Sequence, residues 1–232
     1  MTRLAVDAVP AAFDSAARGY DRLVGANPGY HRELRRSATA LGIARGGEGQ
    51  RLLDLGCGTG ASTAALLAAA PLAEITGVDA SAGMLEQARR KRWPDNVSFV
   101  HARAEELEAR GPYDGVFAAY LIRNLGRPDP VLAAVRGLLK PGARFVAHEY
   151  SVRDSLVATA WWTAVCWSVI IPGGVLVTGS ADLYAYLWRS VLEFDGVRAL
   201  RQRMRRTGFT DVRVLPAAGW QRGIVHTFVG RA

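Results

Sequence analysis

The residues that bear most directly on chemistry form one run, Asp54-Leu55-Gly56-Cys57-Gly58-Thr59-Gly60. Glycines at such spacing let a chain turn sharply and let a ligand approach bare backbone. A helix starting just beyond supplies unpaired amide donors. The spacing of Gly56, Gly58 and Ala61 also satisfies the G-x-G-x-x-G/A pattern of dinucleotide-binding turns, so the loop alone leaves the nucleotide class open. Asp79 ends the next apolar run, where a carboxylate can accept both hydroxyls of a ribose, each charged hydrogen bond contributing about 1.5–3 kcal/mol. NAD enzymes carry an equivalent acid, so Asp79 points to an adenosine-type nucleoside without choosing one. The plainer role for Asp79, capping the following helix, falls to Ser81 instead. Ala80 and Met84 flank that cap and join the candidate contacts.

Two further segments complete a pattern. Val100-His101-Ala102-Arg103-Ala104-Glu105-Glu106-Leu107 is placed to lie beside an adenine. Lys140-Pro141-Gly142 precedes a last strand; alone it reads as a helix stop and a turn. An acid directly before the glycines, Asp54, suits a ligand whose methionine part lies over the loop with no pyrophosphate beside the carboxylate. In order and spacing, residues 48–150 resemble the class I S-adenosylmethionine-dependent methyltransferases.

Other segments narrow the resemblance. They are Phe13-Asp14, Gly19-Tyr20-Asp21 and His31-Arg32 before the loop, then Tyr120-Leu121-Ile122-Arg123-Asn124-Leu125 and His148-Glu149-Tyr150-Ser151. Tyr184-Ala185-Tyr186-Leu187-Trp188-Arg189-Ser190, Gly208-Phe209 and Gly223-Ile224-Val225-His226-Thr227 follow. Over nearly the whole chain this resembles the ubiquinone/menaquinone biosynthesis C-methyltransferases, which methylate a ring carbon of a polyprenylated hydroquinone. The resemblance implies cofactor contacts at Thr59, Asp79, Arg103, Ala104 and Ala119, and a Tyr20-Asp21 pair near the cofactor. It implies that Arg123 and Asn124 face the substrate. Four departures mark a divergent paralogue: Arg103 where Asp or Asn is usual, Leu121-Ile122 for Gly-Leu, Ala119 for a common serine, and Val24 near a missing asparagine. Arginine cannot accept adenine amino hydrogens; it can stack on the ring, or Glu105 can take the role.

Methyl transfer from a sulfonium is an in-line displacement, so holding the acceptor at near-attack distance carries much of the rate. A phenolic ring becomes nucleophilic at carbon once its hydroxyl loses its proton. Arg123 stays protonated and is assigned to stabilising the phenolate, with Asn124 donating a hydrogen bond. A water, His148 or Glu149 takes the proton. Arg123, Asn124 and His148 are therefore the expected catalytic residues. Tyr20, Asp54, Gly56, Cys57, Gly58, Thr59, Asp79, Ala80, Met84, Arg103, Ala104 and Ala119 are the expected cofactor contacts. No metal site is expected. Three alternatives stay open: a methyltransferase acting on another lipophilic or secondary-metabolite acceptor, an NAD(P)-binding oxidoreductase, and a non-catalytic S-adenosylmethionine- or NAD-binding protein.

These residues need a frame. Two helices over about 10–45 are separated by Asn27-Pro28-Gly29 and stopped by Gly46-Gly47. Strands at 51–55, 74–78, 97–101, 113–118 and 143–150 then alternate with helices at 61–70, 82–91 and 130–139 and a helical turn at 104–109. That alternation predicts an α/β, Rossmann-like parallel sheet with helices on both faces. A helix at 197–206 and two strands near 211–216 and 223–229 bring the strands to seven. The expected division is a helical cap (1–47), a cofactor core (48–151), an apolar helical lid (152–195) and a C-terminal helix with the last two core strands (196–232).

Residues 156–177 carry no charge. That length suggests a membrane span, but Pro172-Gly173-Gly174 is expected to break the helix short of the ~20 residues needed. The block is then an apolar helix, a break and a second short segment that cap a greasy pocket or touch the bilayer. Trp161, Trp162, Trp167, Ile170 and Ile171 either line a prenyl channel, each buried methylene contributing about 0.8 kcal/mol, or pack the helix onto the core, the plainer reading for any single tryptophan.

Composition bounds the rest. Half of the 232 residues are apolar and 22% charged, which is a globular balance. The net charge of +8 is almost all arginine and spread along the chain, which speaks against nucleic acid and for attraction to an anionic membrane surface. Two cysteines make no disulfide framework, and an N-terminus without an apolar core makes no secretory leader. The expectation is a cytoplasmic enzyme with a lipophilic small-molecule partner; peripheral contact with the inner face of the membrane and a homodimer are left open.

Overall fold

The computed structural model describes residues 8–106, 111–178 and 181–232. Helix α1 (Val9–Ala26) starts with Pro10 in its first turn, where a missing N–H costs nothing. Gly29, at φ 87°, turns the chain into α2 (Tyr30–Thr39). This second helix stops at Thr39, short of the expected Gly46-Gly47, because Gly42 turns the chain out at φ 67°.

A strand–helix alternation follows: β1 (Arg51–Leu55), α3 (Ala61–Ala69), β2 (Glu74–Asp79), α4 (Ala82–Arg89), β3 (Val97–His101) and β4 (Tyr113–Ala119). The expected turn after β3 is a 3-10 turn at Ala104–Glu106; residues 107–110 of that expectation lie outside the described residues. Helix α5 (Pro128–Leu138) leads into β5 (Leu139–Tyr150). Lys140-Pro141-Gly142 is part of that strand and not a turn before it. Tyr113 pairs with Leu139, the register then shifts, and Gly115 pairs with Arg144. Lys140 is held by Asp114 at 2.7 Å.

After α8 (Asp182–Glu193) and α9 (Val197–Arg206), β6 (Thr210–Pro216) and β7 (Val225–Arg231) close the sheet. Its order is β3-β2-β1-β4-β5-β7-β6. The first five strands are parallel, and β7 runs antiparallel to β5 and β6. Successive strand residues point to opposite faces, and both faces are covered. Leu52, Phe117 and Val146 pack under α2 and α3, whereas Leu53, Val116 and Phe145 pack under α5 and α9. Central strands therefore read as unbroken apolar runs instead of alternating ones. The order reverses beside β1 and β4, which leaves the crevice for a ligand at their carboxyl ends.

The apolar block departs from expectation. Helix α6 (Leu156–Val165) passes through one π-helical turn, Cys166–Ile170, into α7 (Ile171–Thr178) without a break. Pro172 sits in the first turn of α7, where the preceding wide turn, with Ile171 N–H donating to Cys166 O, moves backbone carbonyls away from its ring. The same wide turn corrects the phase of the buried stripe. Ala158, Trp162, Cys166 and Ile171 are all buried, and the longer last step spans the π turn.

Candidate active site

The glycine bend is pinned to the tip of β2. The amides of Gly56 and Cys57 both donate to Val78 O, at 2.8 and 3.0 Å. Gly56 holds φ 74°, and a Cβ there would lie 2.9 Å from Leu121 Cδ1, so only glycine fits. Asp79 faces this bend: Gly58 N–H donates to Oδ2 at 2.7 Å and Ser81 N–H to Oδ1 at 2.8 Å. Ser81 Oγ in turn accepts Met84 N–H at 3.1 Å and caps α4, as its position suggests. Burial raises the Asp79 pKa, while the Ser81 and Gly58 amides oppose the rise. One amide on each oxygen leaves each a lone pair. A ribose diol is a donor pair that this carboxylate fits.

One cavity gathers most of the expected residues. Tyr20, Gly56, Cys57, Gly58, Thr59, Asp79, Ala80, Met84, Arg103, Ala104, Ala119, Arg123 and Asn124 all lie on its wall. Arg103 sits there between two acids, 3.8 Å from Glu105 and 3.9 Å from Glu106, and Glu105 shares the wall. Two expected residues do not line it. Asp54 points beneath the loop, where Ser62 and Thr63 hydroxyls donate to its Oδ2 at 2.7 and 2.6 Å. It therefore ties α3 to β1 instead of lining the cavity, and burial pushes its pKa up to about 7. His148 lies in the sheet, with Nδ1 2.9 Å from Thr227 Oγ1. Burial, with His226 nearby, pushes its pKa down to about 3, too weak a base for a phenol. The channel expectation also changes. None of Trp161, Trp162, Trp167, Ile170 and Ile171 lines this cavity; Trp162 and Ile171 are core, and Trp161 and Trp167 face outward.

The expected Tyr20-Asp21 pair lies at the site, and what the sequence did not show is how α1 is latched over it. Phe13 and Tyr20 put their rings on the cavity wall, edge to face at 5.9 Å. Asp14 accepts from Ser81 Oγ at 2.5 Å and from Gly83 N at 2.8 Å. Two turns later Asp21 accepts from Thr59 Oγ1 at 2.5 Å and meets Lys91 Nζ at 2.7 Å. Thr59, expected to face the cofactor, thus also latches α1. Two acids two turns apart on one face of a helix was the available signal.

Opposite α1, the loop after β4 builds a charged nest. Tyr120 holds φ 57°, a strained backbone for a bulky residue, costing about 1–3 kcal/mol. It is held by its N–H donating to His148 O at 2.7 Å and by its ring stacking on Tyr30 at 5.6 Å. The strain aims Tyr120 O at the next turn, where it accepts from Arg123 Nη1 at 2.7 Å and from Asn124 Nδ2 at 3.1 Å. Asn124 Oδ1 accepts from Tyr186 OH of α8 at 3.0 Å. Arg123 lies over the Tyr150 ring at 5.4 Å and pairs with Glu149. Burial works against charge on both partners; for Arg123 it is outweighed by Glu149 together with Tyr150 and Tyr20 and the pKa is raised, and for Glu149 burial prevails and its pKa is raised. Glu149 also accepts from Tyr150 N, so it serves as the counter-ion of Arg123. Arg123 is one of the residues lining the cavity, and its Nε–H is buried with no partner among the described residues.

Comparison with known proteins agrees with this architecture. A family model described as the ubiE/COQ5 methyltransferase family matches residues 1–230. The chain is 34% identical over 206 residues to the demethylmenaquinone methyltransferase of Clavibacter sepedonicus, covering 88% of this chain and 83% of that one. It is also 30% identical over 207 residues to the ubiquinone/menaquinone biosynthesis C-methyltransferase UbiE of Agrobacterium fabrum, covering 86% and 80%. Among solved structures, phosphoethanolamine N-methyltransferase 2 of Haemonchus contortus in complex with S-adenosyl-L-methionine matches at TM-score 0.70 and 18% identity, over 98% of this chain and 60% of that one. The cyclase SpnF matches at TM-score 0.72 and 16% identity, over 100% and 97%. At such identities the likeness is one of fold, and one fold hosts several reactions. The match over nearly the full length decides further: the chain belongs to the ubiE/COQ5 methyltransferase family and is an S-adenosylmethionine-dependent methyltransferase.

Proposed function

We propose that the chain methylates a ring carbon of a (poly)prenylated quinol such as demethylmenaquinol. The named activities of its relatives support this acceptor. The observation that carries it in this chain is Arg123 on the cavity wall, a guanidinium whose charge is held by the buried Glu149 beside it. A cation fixed beside the cavity favours an acceptor whose ring oxygen carries negative charge.

S-adenosylmethionine supplies a methyl group carried on a sulfonium. The chain's own residues do the rest. Asp79 would accept from the cofactor's ribose, Gly56 to Thr59 would hold its methionine part, and Arg103 or Glu105 would meet its adenine. Arg123 holds the acceptor's ring oxygen and favours its ionised form. Asn124 keeps one amide hydrogen for the same oxygen, since its other groups are taken by Tyr120 and Tyr186. With Glu149 engaged as a counter-ion and His148 outside the cavity, the proton passes to water. Tyr20, Phe13 and Tyr30 exclude bulk solvent from the reacting centre. The enzyme works in the cytoplasm, taking its lipophilic acceptor at the inner face of the membrane.

Deletion of the gene tests this reading. Lipid extracts should accumulate a quinone lighter by one methyl group, restored by the parent chain and not by Arg123→Ala. Unchanged quinones in the deletion strain would overturn it.

A further inference from the structure

The helical run Leu156–Val177 has two unlike faces. One packs on the body, where Trp162 Nε1–H donates to Trp188 O at 3.3 Å and Trp188 Nε1–H to Thr163 Oγ1 at 3.2 Å. The other is open to solvent and apolar. Leu156 is 90% exposed, Val157 80%, Val169 64% and Leu176 87%, with Trp161 and Trp167 near half. Only 22% of the run's most apolar window is buried, and Asp, Glu, Lys and Arg are absent from it. A continuous apolar face of this kind marks a surface that something covers.

We infer that this face docks on an anionic lipid bilayer, with the helix lying in the plane of the membrane and not across it. The inference rests on the quinol reading only for its purpose, since a prenylated acceptor resides in lipid. Two observations favour lipid over a second copy of the chain. A second copy would set +8 against +8, whereas anionic headgroups complement that net charge. Trp161 and Trp167 place indoles on the open face, and indoles prefer the headgroup level. The buried stripe decides the orientation. Ala158, Trp162, Cys166 and Ile171 hold the helix to the body along its length, and the π turn keeps Ile171 in phase with the others. Crossing the bilayer would strip that face from its packing, while lying on the surface keeps it.

The test uses the full chain, vesicles of phosphatidylcholine with one quarter phosphatidylglycerol, and vesicles of phosphatidylcholine alone. The parent should co-sediment with the mixed vesicles at least tenfold better than with the neutral ones, and brominated lipid should quench its tryptophan emission. Val169→Asp with Leu176→Asp should lower partition at least tenfold, leaving S-adenosylhomocysteine binding and turnover of a short-chain, water-soluble quinol unchanged. Parent chain that ignores vesicles, or variants that bind them equally, would overturn the inference. So would a dimer in sedimentation velocity that the variants dissociate, or vesicle-bound chain that resists alkaline carbonate. Vesicle binding without quinol turnover would sink the functional reading and leave this one standing.

Discussion

Arg123 Nη1 lies 2.5 Å from Glu149 Oε1, with the two side chains 5% and 1% exposed. The pair joins the loop after β4 to the end of β5 and sets a fixed positive charge against the cavity. Removing one partner of such a pair strands the other charge in the interior, which costs about 3–5 kcal/mol. Glu149→Gln should therefore lower the unfolding free energy by roughly that amount. Arg123→Met with Glu149→Leu removes both charges and should recover most of the loss, yet remain without turnover. Denaturant unfolding and product formation read both. A double variant no more stable than the single would show that the pair itself is net stabilising, and turnover in it would take Arg123 out of the chemistry.

Asp79 holds the bend and is proposed to hold the ribose. Asp79→Asn keeps the shape but loses the charge and one acceptor oxygen. Its affinity for S-adenosylhomocysteine should fall about 10–100-fold, the equivalent of a lost charged hydrogen bond. Titration calorimetry measures this, and unchanged affinity would move the ribose elsewhere.

The α1 latch predicts a kinetic effect. Asp21 and Lys91 are each over a third exposed, so the contact is screened and contributes about 0.2–1 kcal/mol. Asp21→Asn should speed release of S-adenosylhomocysteine about twofold to fivefold and leave the melting temperature nearly unchanged. Stopped-flow release gives the rate; an unaltered rate would mean that α1 does not gate the site.

Two buried groups give opposing pH slopes. Burial raises Asp54 from 3.8 to about 7, so the folded chain keeps a proton that the unfolded chain has lost across that window. Its contribution is present at low pH and lost as pH rises through about 7. His148 falls from 6.5 to about 3, so its contribution is present above 6.5 and lost as pH falls toward 3. Relative to the parent, Asp54→Asn should gain up to ~4 kcal/mol as pH rises from about 4 to 7, and His148→Gln up to ~5 kcal/mol as pH falls from about 6.5 to 3. Urea unfolding across this range measures both differences, and flat differences would place the two groups in ordinary solvent.

Much of this was legible in the residues because strand tips and glycine bends are local. Gly56, Gly58 and Asp79 could be placed from spacing, since a parallel sheet brings neighbouring strand ends together. What escaped depends on direction or distance. Asp54 stands one residue before the end of β1 and Asp79 ends β2, and pleating turns Asp54 under the loop and leaves Asp79 on the cavity. His148 and Glu149 are adjacent, yet alternation sends one toward Thr227 and the other to Arg123. Pro172 reads as a helix breaker until a wide turn before it absorbs the ring. The reach of Asp14 and Asp21 from α1 to the cofactor loop is a long-range contact that helical periodicity can place on a face but cannot assign to a partner.

The most direct test incubates the purified chain with S-adenosylmethionine bearing a trideuterated methyl group and a reduced short-chain demethylmenaquinone. Tandem mass spectrometry of the product should find one trideuteromethyl group on a ring carbon, and none when Arg123→Ala replaces the parent. Label on a ring oxygen, or an acceptor returned unchanged while S-adenosylhomocysteine binds normally, would contradict the account.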